Sequence, residues 1–390
     1  MSLPKGFTAS GIAAGLKPSG RPDLGLLVSE SPAVAAGVFT TNRVVAAPVV
    51  YTKRNIRAGS ARAIVVNAGN ANACTGRQGA NDAKAMGRET AKALGIQPQR
   101  VLVASTGVIG VPMDMPLVTA GIGDAARGLS ADGLDALAAA MMTTDTKPKT
   151  ATVTLSSGAL ITGVAKGSGM IAPEMATMLC FIATDAAADR SLLSQALQGG
   201  SSSSFGLISV DGCRSTNDCV LALANGAAGG ETIGLDAPDA MEFQAAFTDV
   251  CRSLARQIVE DGEGATKVVA VTVRGASNPR EAKHAAERIA DSVLLRCALH
   301  GADPNWGRVL AALGTAKIPF DPAQVDVWLG GEQLCTGGAV GPGDRDKARA
   351  ALQEREVEVV ADLNRGDASV TFLTNDLSPE YVRINSEYTT

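Results

Sequence analysis

The chain has 390 residues, of which 46% are hydrophobic and 19% are charged. This apolar share is that of a folded protein and excludes a disordered chain or a fibre. With a formal net charge of −4 and only 3% aromatic residues, the sequence offers no basic surface for nucleic acid and little stacking surface for single strands. No apolar run approaches the roughly 18 residues of a membrane span.

Cysteine and histidine usage narrows the chemistry further. Seven cysteines at irregular spacing argue against a disulfide framework, and the start of the chain lacks the layout of a secretory signal, so we expect a cytoplasmic protein. The two histidines, His284 and His300, exclude a histidine-rich metal site and disfavour a histidine-based triad. Asp211, Asn217 and Asp218 could suggest a cation site, and the residues alone leave this open.

Hydrophobic patterning predicts strands that alternate with helices. In chain order these are strands at 60–66 and 100–104, a helix at 132–142, a hairpin of 150–155 and 160–164, a buried strand at 178–183, a helix at 239–258, a strand at 267–274, a helix at 279–295, a strand at 325–329, a helix at 345–353 and a strand at 357–362. This mixture predicts an α/β or α+β protein with helices outside its sheets. The length suggests two or three lobes.

A glycine-rich loop, residues 166–177, leads directly into the predicted buried strand 178–183. On spacing alone the loop is a turn and Thr177 a strand-starting residue. A second interpretation makes Thr177 a nucleophile, because a threonine at a chain terminus supplies its own base through an α-amine with a pKa of about 7.7–8. That interpretation requires cleavage of the Ala176–Thr177 bond by an N-to-O acyl shift followed by hydrolysis.

Long ungapped motifs along essentially the whole chain support the second interpretation. They are GVFTTN (37–42), NAGNANACTG (67–76), STGVIG (105–110), MTTDTKPK (142–149), KGSGMIAPEMATMLCFIATDA (166–186), SVDGCRSTND (209–218), DGEGATK (261–267), ADPNWGR (302–308) and NSEYTT (385–390). In this order they resemble the ornithine acetyltransferase family, the self-cleaving glutamate N-acetyltransferases of arginine biosynthesis. A chance match to all of them is excluded by their length and order.

The resemblance implies a fold, an assembly and a reaction. The fold is an αββα-type layered α/β protein with two lobes, cleaved into an α chain of residues 1–176 and a β chain of residues 177–390 that assemble as α₂β₂ or larger. The reaction transfers acetyl from N-acetyl-L-ornithine to L-glutamate through an acetyl-Thr177 intermediate, without a cofactor, and because the family is not metal-dependent we assign no metal to Asp211, Asn217 and Asp218. Some family members also accept acetyl from acetyl-CoA, and the sequence leaves this open here.

The resemblance also implies roles for individual residues. Thr177 is the nucleophile, and Thr106 and Gly107 form the oxyanion hole. Thr143 is the best match for a substrate-binding threonine, with Thr144 and Thr146 as open alternatives. The remaining substrate contacts are Lys166, Glu263, Asn385 and the last residue, Thr390. For the tail to dock over the site, we expect its apolar side chains, Tyr381, Val382, Ile384 and Tyr388, to hold it there.

Two other functions remain open on the sequence. A self-processed hydrolase or aminopeptidase of a related fold would share Thr177 but let water release the acyl group. A non-catalytic binding protein on the same scaffold would show no chain break.

Overall fold

The computed structural model describes residues 2–172 and 178–387, so the predicted site residues Ala176, Thr177 and Thr390 lie outside the described part of the chain. The strands are β1 (Phe7–Ile12), β2 (Leu24–Phe39), β3 (Ser60–Asn70), β4 (Val101–Val108), β5 (Lys149–Thr154), β6 (Leu160–Lys166), β7 (Leu179–Thr184), β8 (Cys219–Ala224), β9 (Val268–Ala276), β10 (Asp326–Leu329), β11 (Glu332–Thr336), β12 (Ala339–Val340), β13 (Glu356–Asp362) and β14 (Ala368–Asn375). The helices are α1 (Ala47–Asn55), α2 (Gly76–Leu94), α3 (Met115–Arg127), α4 (Leu134–Met141), α5 (Arg190–Ser202), α6 (Ala240–Glu260), α7 (Pro279–Ala290), α8 (Val293–His300), α9 (Trp306–Leu313), α10 (Arg345–Ala351) and α11 (Pro379–Glu387).

The larger sheet has the strand order β4-β3-β2-β8-β7-β6-β5, with β1 added beside β2. The longest of these strands is β2, which has 16 residues. Its pairing register with β3 shifts between Val28 and Ala33. The first part of β2 pairs with β1 and β3, and the last part pairs with β8. One long strand therefore belongs to both halves of the sheet.

Three apolar clusters show how the two halves are layered. Ile64 and Leu102 from one half lie in the same buried cluster as Phe181 and Leu221 from the other, together with α4. On the outer face of the first half, β2, β3 and β4 pack against α2 and α3. On the outer face of the second half, β6, β7 and β8 pack against α5 and α6. The order helix, sheet, sheet, helix confirms the expected αββα layering.

The second lobe is built on a six-stranded sheet with the order β12-β11-β10-β13-β9-β14. Its core joins β9, β10 and β13 to α7, α8 and α9. The single helix predicted at 279–295 is wrong, because the structure has two helices that break at Asp291 and Ser292. The Ser292 side chain accepts a hydrogen bond from the Leu295 amide and so caps a new helix at that point.

The remaining sequence predictions mostly hold, but several elements were not foreseen. The strands and the hairpin predicted before residue 184 are present, as are the long helix α6 and the strands β9, β10 and β13 that were predicted in the second lobe. Thr106 and Gly107 lie within β4 rather than in a turn after it. The sequence patterns did not reveal β1, β2, β8, β11, β12, β14, α1, α2, α3, α5, α9 and α11. Within the described residues, no helix is long and apolar enough to cross a membrane.

Candidate active site

A cavity of about 130 Å³ lies where the first lobe meets the loop at residue 263 and helix α11. Six sequence-predicted site residues from distant parts of the chain line it: Thr106, Gly107, Thr143, Lys166, Glu263 and Asn385. A larger groove of about 790 Å³ beside α1 and α2 contains none of them. We therefore place the candidate active site in the smaller cavity, where the chemistry-bearing side chains converge.

The oxyanion-hole candidates lie where β4 runs closely alongside β3. In this parallel pair Ala68 lies opposite Thr106, and Gly69 lies opposite Gly107. Gly107 has a φ of +129°, and a Cβ on it would lie 2.3 Å from the backbone carbon of Gly69. Only glycine fits this position, because both the backbone conformation and the space exclude a side chain. The close approach leaves the Thr106–Gly107 backbone at the cavity wall.

Lys166 is buried at the end of β6, and its Nζ donates to Oγ1 of Thr106 over 3.4 Å. Burial lowers the pKa of Lys166 and outweighs the opposing effect of the Asp145 carboxylate. The lysine is therefore not the solvated charge that a lone loop lysine would usually be. It is a buried donor held against the Thr106 hydroxyl group.

Asp145 links two of the cavity loops. Its carboxylate accepts hydrogen bonds from the amide of Thr143 at 3.0 Å, the amide of Gly167 at 2.6 Å and Nζ of Lys149 at 2.7 Å. Burial alone would raise the pKa of Asp145, but the charges of Lys166 and Lys149 and these hydrogen bonds hold it well below its usual range. An ionised Asp145 therefore fixes the backbone beside both Thr143 and Lys166.

Lys149 extends this network to the loop that carries Glu263. Its Nζ also donates to Asp261 over 2.5 Å, and its side chain is fully buried. Asp261 in turn accepts hydrogen bonds from the amide and hydroxyl of Thr146. The loops around residues 145, 167 and 261 thus share one buried set of charges.

The three candidate threonines differ in what their hydroxyl groups contact. Oγ1 of Thr144 lies 2.7 Å from Oγ of Ser168, and the Thr146 hydroxyl bonds Asp261. Thr143 and Thr144 line the cavity, whereas Thr146 is not part of its wall. Because the Thr144 and Thr146 hydroxyls are already engaged, the geometry favours Thr143 as the substrate contact, and this assignment stays a prediction.

Glu263 is half-buried in the cavity wall, and hydrogen bonds hold both its backbone and its carboxylate. Its amide donates to the Ser168 carbonyl over 2.9 Å, and Nδ2 of Asn385 donates to its Oε2 over 2.7 Å. A Cβ on Gly169 would lie 2.5 Å from the Glu263 carboxyl group. A side chain at residue 169 would therefore collide with the Glu263 carboxylate in its present position.

Helix α11 reaches the cavity through polar contacts. Besides the Asn385–Glu263 hydrogen bond, the hydroxyl of Tyr381 lies 3.4 Å from Oδ2 of Asp211. The expectation of an apolar anchor is wrong for Val382, which is 63% exposed. Tyr388 and Thr390 lie outside the described residues.

Asp211 and Asn217, which line the cavity, and their neighbour Asp218, which does not, were given no catalytic or substrate-binding role from the sequence. Asp211 accepts hydrogen bonds from the amides of Met170 and Ile171, at 2.5 and 3.0 Å. Asn217 donates from Nδ2 to the Ser105 carbonyl over 2.8 Å and so holds the strand just before Thr106. Asp218 accepts a hydrogen bond from the Met178 amide.

These residues belong to the motif SVDGCRSTND, whose acidic and amide side chains could suggest a cation site on the sequence alone. Among residues 2–172 and 178–387 no group of three or more histidine, cysteine, aspartate or glutamate side chains is arranged to hold a metal ion. Asp211 and Asp218 instead bind backbone amides on either side of the 173–177 segment.

Comparison with known proteins decides the family, because residues 8–390 match the ArgJ family. The chain belongs to the ArgJ family. Two curated relatives called arginine biosynthesis bifunctional protein ArgJ are similar over their whole length. The protein of Symbiobacterium thermophilum is 48% identical, with 100% of this chain and 98% of the relative covered. The protein of Geobacter sulfurreducens is 44% identical, with 99% of each covered.

Two solved structures align with parts of this chain. The arginine biosynthesis bifunctional protein ArgJ of Bacillus halodurans has a TM-score of 0.52 and 37% identity, and the match covers 53% of this chain and 98% of that one. An ornithine acetyltransferase of Mycobacterium tuberculosis, solved with ornithine, has a TM-score of 0.43 and 40% identity, covering 44% of this chain and 93% of that one. ArgJ family membership confirms the resemblance drawn from the motifs, while the individual residue roles stay predictions.

Proposed function

We propose that this ArgJ family protein transfers acetyl from N-acetyl-L-ornithine to L-glutamate through an acetyl-Thr177 intermediate. Family membership makes it an acyltransferase of arginine biosynthesis. The observation that carries the detailed proposal is the cavity, which gathers the Thr106–Gly107 backbone, Lys166 and Glu263 from three distant segments. Met178, the first described residue after Thr177, contacts Asp218 at one side of this site.

The chemistry follows from what each group offers. The α-amine of Thr177 takes the proton from its own hydroxyl, and Oγ attacks the acetyl carbonyl. Thr106 and Gly107 donate hydrogen bonds to the oxygen that becomes negative. The ammonium of Lys166 lowers the pKa of a nearby α-ammonium through like-charge repulsion, which favours the free amine that the base role requires.

Glu263 supplies the complement to the substrate's amine. A carboxylate facing the ammonium of ornithine forms a charge-assisted hydrogen bond, and the Asn385 amide orients that carboxylate. Ornithine leaves once the acetyl ester forms, and the amine of L-glutamate then attacks the ester to give N-acetyl-L-glutamate. The cavity must admit glutamate and hinder water at the ester stage.

The proposal requires two polypeptides, residues 1–176 and 177–390. The solved Bacillus halodurans chain aligns over 98% of its own length but covers only 53% of this chain, so it is about half as long. A chain of about that length is what cleavage between Ala176 and Thr177 predicts. We also propose an α₂β₂ assembly and a cytoplasmic location, and native mass spectrometry of the purified protein measures the assembly.

The test combines intact mass with a substrate assay. Purified protein should contain a polypeptide that starts TMLCF, and release of ornithine from N-acetyl-L-ornithine should depend on L-glutamate and yield N-acetyl-L-glutamate. Thr177→Ala should remain a single uncleaved chain without activity, whereas Thr232→Ala, at an exposed threonine outside the cavity, should match the wild type. Acetate release that is independent of glutamate would instead indicate a hydrolase. A wild-type chain that is active without being cleaved would show that Thr177 is not the nucleophile. The same assay with acetyl-CoA in place of N-acetyl-L-ornithine shows whether the protein accepts a second acetyl donor.

A further inference from the structure

Asp218 lies immediately before β8, beside the residue that follows the proposed nucleophile. Strands β7 and β8 are parallel, and Leu179 lies opposite Cys219. This register brings Oδ1 of Asp218 within 3.1 Å of the Met178 amide, which donates to it. The Met178 carbonyl in turn accepts a hydrogen bond from the Cys219 amide. The position of the Asp218 carboxyl group is therefore set by the sheet.

The two oxygens of this carboxyl group differ in their hydrogen bonding within the described part of the chain. Asp218 is fully buried, and its Oδ2 has no hydrogen-bond partner among the described residues. Buried polar atoms are nearly always paired, so a lone buried oxygen at a site points to a role beyond folding. Burial raises the pKa of Asp218 well above its usual value, although the Met178 amide, the Lys166 charge and the nearby side chains of Ser215 and Thr40 lower it.

Covalent geometry connects Asp218 to the cleavage chemistry. The nitrogen of Met178 is joined to the nitrogen of Thr177 by three bonds, whose combined length is about 4.3 Å. Whatever the conformation of Thr177, its nitrogen lies within that distance of the amide that Asp218 binds. The Thr177 nitrogen therefore lies no more than about 7.4 Å from Oδ1 of Asp218, whichever conformation Thr177 adopts.

The other acids of the cavity are already engaged. The two oxygens of Asp211 accept hydrogen bonds from the amides of Met170 and Ile171. Glu263 accepts a hydrogen bond from Asn385. Among the described acids that line or border the cavity, Asp218 combines full burial with an oxygen that has no partner.

We propose that Asp218 carries the proton that self-cleavage moves from Oγ to the nitrogen of Thr177. This inference rests on the proposed function. In the acyl shift, Oγ bonds to the Ala176 carbonyl carbon and loses its proton, the bond from that carbon to the Thr177 nitrogen breaks, and the nitrogen gains a proton. One proton therefore moves from oxygen to nitrogen, and Asp218 returns to its starting state. Water then hydrolyses the ester to a carboxylate on Ala176 and the free hydroxyl of Thr177.

The decisive variant is Asp218→Asn, which keeps the size of the side chain and an oxygen acceptor for the Met178 amide but cannot carry a proton. Self-cleavage of freshly synthesised full-length chain is followed by denaturing electrophoresis and intact mass. General acid–base catalysis contributes about 10²–10⁴-fold, so cleavage should slow by at least about 10²-fold. The matched control is Asp82→Asn on α2, another buried aspartate with a partnerless Oδ2, which should cleave at the wild-type rate.

The outcomes separate the inference from the function on which it rests. Wild-type cleavage with an unchanged Asp218→Asn rate overturns the role of Asp218 alone, whereas an uncleaved wild type overturns both. Hydroxylamine cleaves an ester that has accumulated after the acyl shift. If hydroxylamine cleaves the Asp218→Asn chain, the acyl shift has already occurred in that variant, and the proposal is overturned. If Asp218→Asn does not fold, the cleavage rates of Asp218→Glu and Asp218→Gln are compared instead, because these two side chains have the same size and only the first carries a proton. The glutamate variant must cleave faster, and equal rates overturn the proposal.

Discussion

The ammonium group of Lys166 lies 3.4 Å from the hydroxyl oxygen of Thr106. Since an ammonium has only donors, Thr106 accepts this hydrogen bond and keeps its own proton for donation. Lys166 therefore orients the threonine hydroxyl as a donor, and its charge polarises that donor in a buried setting. This arrangement is the one that an oxyanion hole requires, because the donor is in place before negative charge develops.

We expect Thr106→Val to lower kcat for acetyl transfer by about 10²–10³-fold, because valine keeps the shape of threonine but removes the hydroxyl donor. Thr106→Ser, which retains a hydroxyl at the same position, should keep most of the activity. Steady-state kinetics measures both variants after intact mass has established that each is cleaved. A valine variant with the kcat of the serine variant would show that the Thr106 hydroxyl does not act on the transition state.

The motifs identified six of the cavity-lining residues from the sequence, but they did not reveal what holds those residues in place. Asp145 and Gly167 lie 22 positions apart, and Asp218 and Met178 lie 40 apart. The second contact depends on the pairing of β7 with β8, and β8 was not foreseen. Contacts between distant segments follow from sheet topology, which local patterning does not encode.

Helix α2 shows why some regular elements were also missed. It contains Gly76, Gly79 and Gly87, and glycine disfavours a helix when only local propensity is considered. In the structure, a Cβ on Gly87 would lie 2.1 Å from the hydroxyl oxygen of Tyr51. The glycine is therefore needed for close packing of α1 against α2, a tertiary cause that the local sequence does not show.

Gly169→Ala tests the placement of Glu263. A Cβ at residue 169 would lie 2.5 Å from the Glu263 carboxyl group, and the backbone at Gly169 does not require positive φ. We expect the flexible carboxylate to move away while the fold is retained. KM for N-acetyl-L-ornithine should rise about tenfold or more, because a displaced carboxylate no longer meets the substrate ammonium. Thermal unfolding should change little.

The control for this variant is Gly199→Ala in α5, where a Cβ would meet no heavy atom within 4 Å. Alanine at this helical site should leave KM unchanged and stabilise the protein by about 0.5–1 kcal/mol. If Gly169→Ala also leaves KM unchanged, Glu263 does not bind the substrate amine.

Lys149→Met tests the buried charges beneath the cavity. The variant would leave Asp145 and Asp261 buried without their shared cation. Removing one partner of a buried ion pair typically costs about 3–5 kcal/mol, so urea unfolding should show a loss of this size. Lys147→Met is the control from the same loop, because Lys147 is half exposed and only 4.0 Å from Glu260. It should cost less than about 1 kcal/mol. Equal losses for the two variants would show that the Lys149 network does not stabilise the fold.

Lys17 gives a pH-dependent prediction. Burial lowers the pKa of Lys17 to about 8, against the usual 10.5, even though the Asp23 carboxylate opposes this shift. Between these two pH values the unfolded chain holds a proton on Lys17 that the folded chain has lost. Raising the pH through this window therefore stabilises the folded state, by about 1.4 kcal/mol per pH unit and about 3 kcal/mol in total.

The measurement compares urea unfolding of the wild type with that of Lys17→Met from pH 7 to 10.5. Other titrating groups are present in both proteins and cancel in the difference. Loss of the hydrogen bond from Lys17 Nζ to the Pro22 carbonyl adds an offset without the same pH dependence. The free energy of unfolding of the wild type should therefore rise relative to the variant as the pH passes from about 8 to 10.5, and it should run parallel to the variant below about pH 7. A difference that stays flat, or falls, across this window would mean that Lys17 is charged in the folded protein at pH 9.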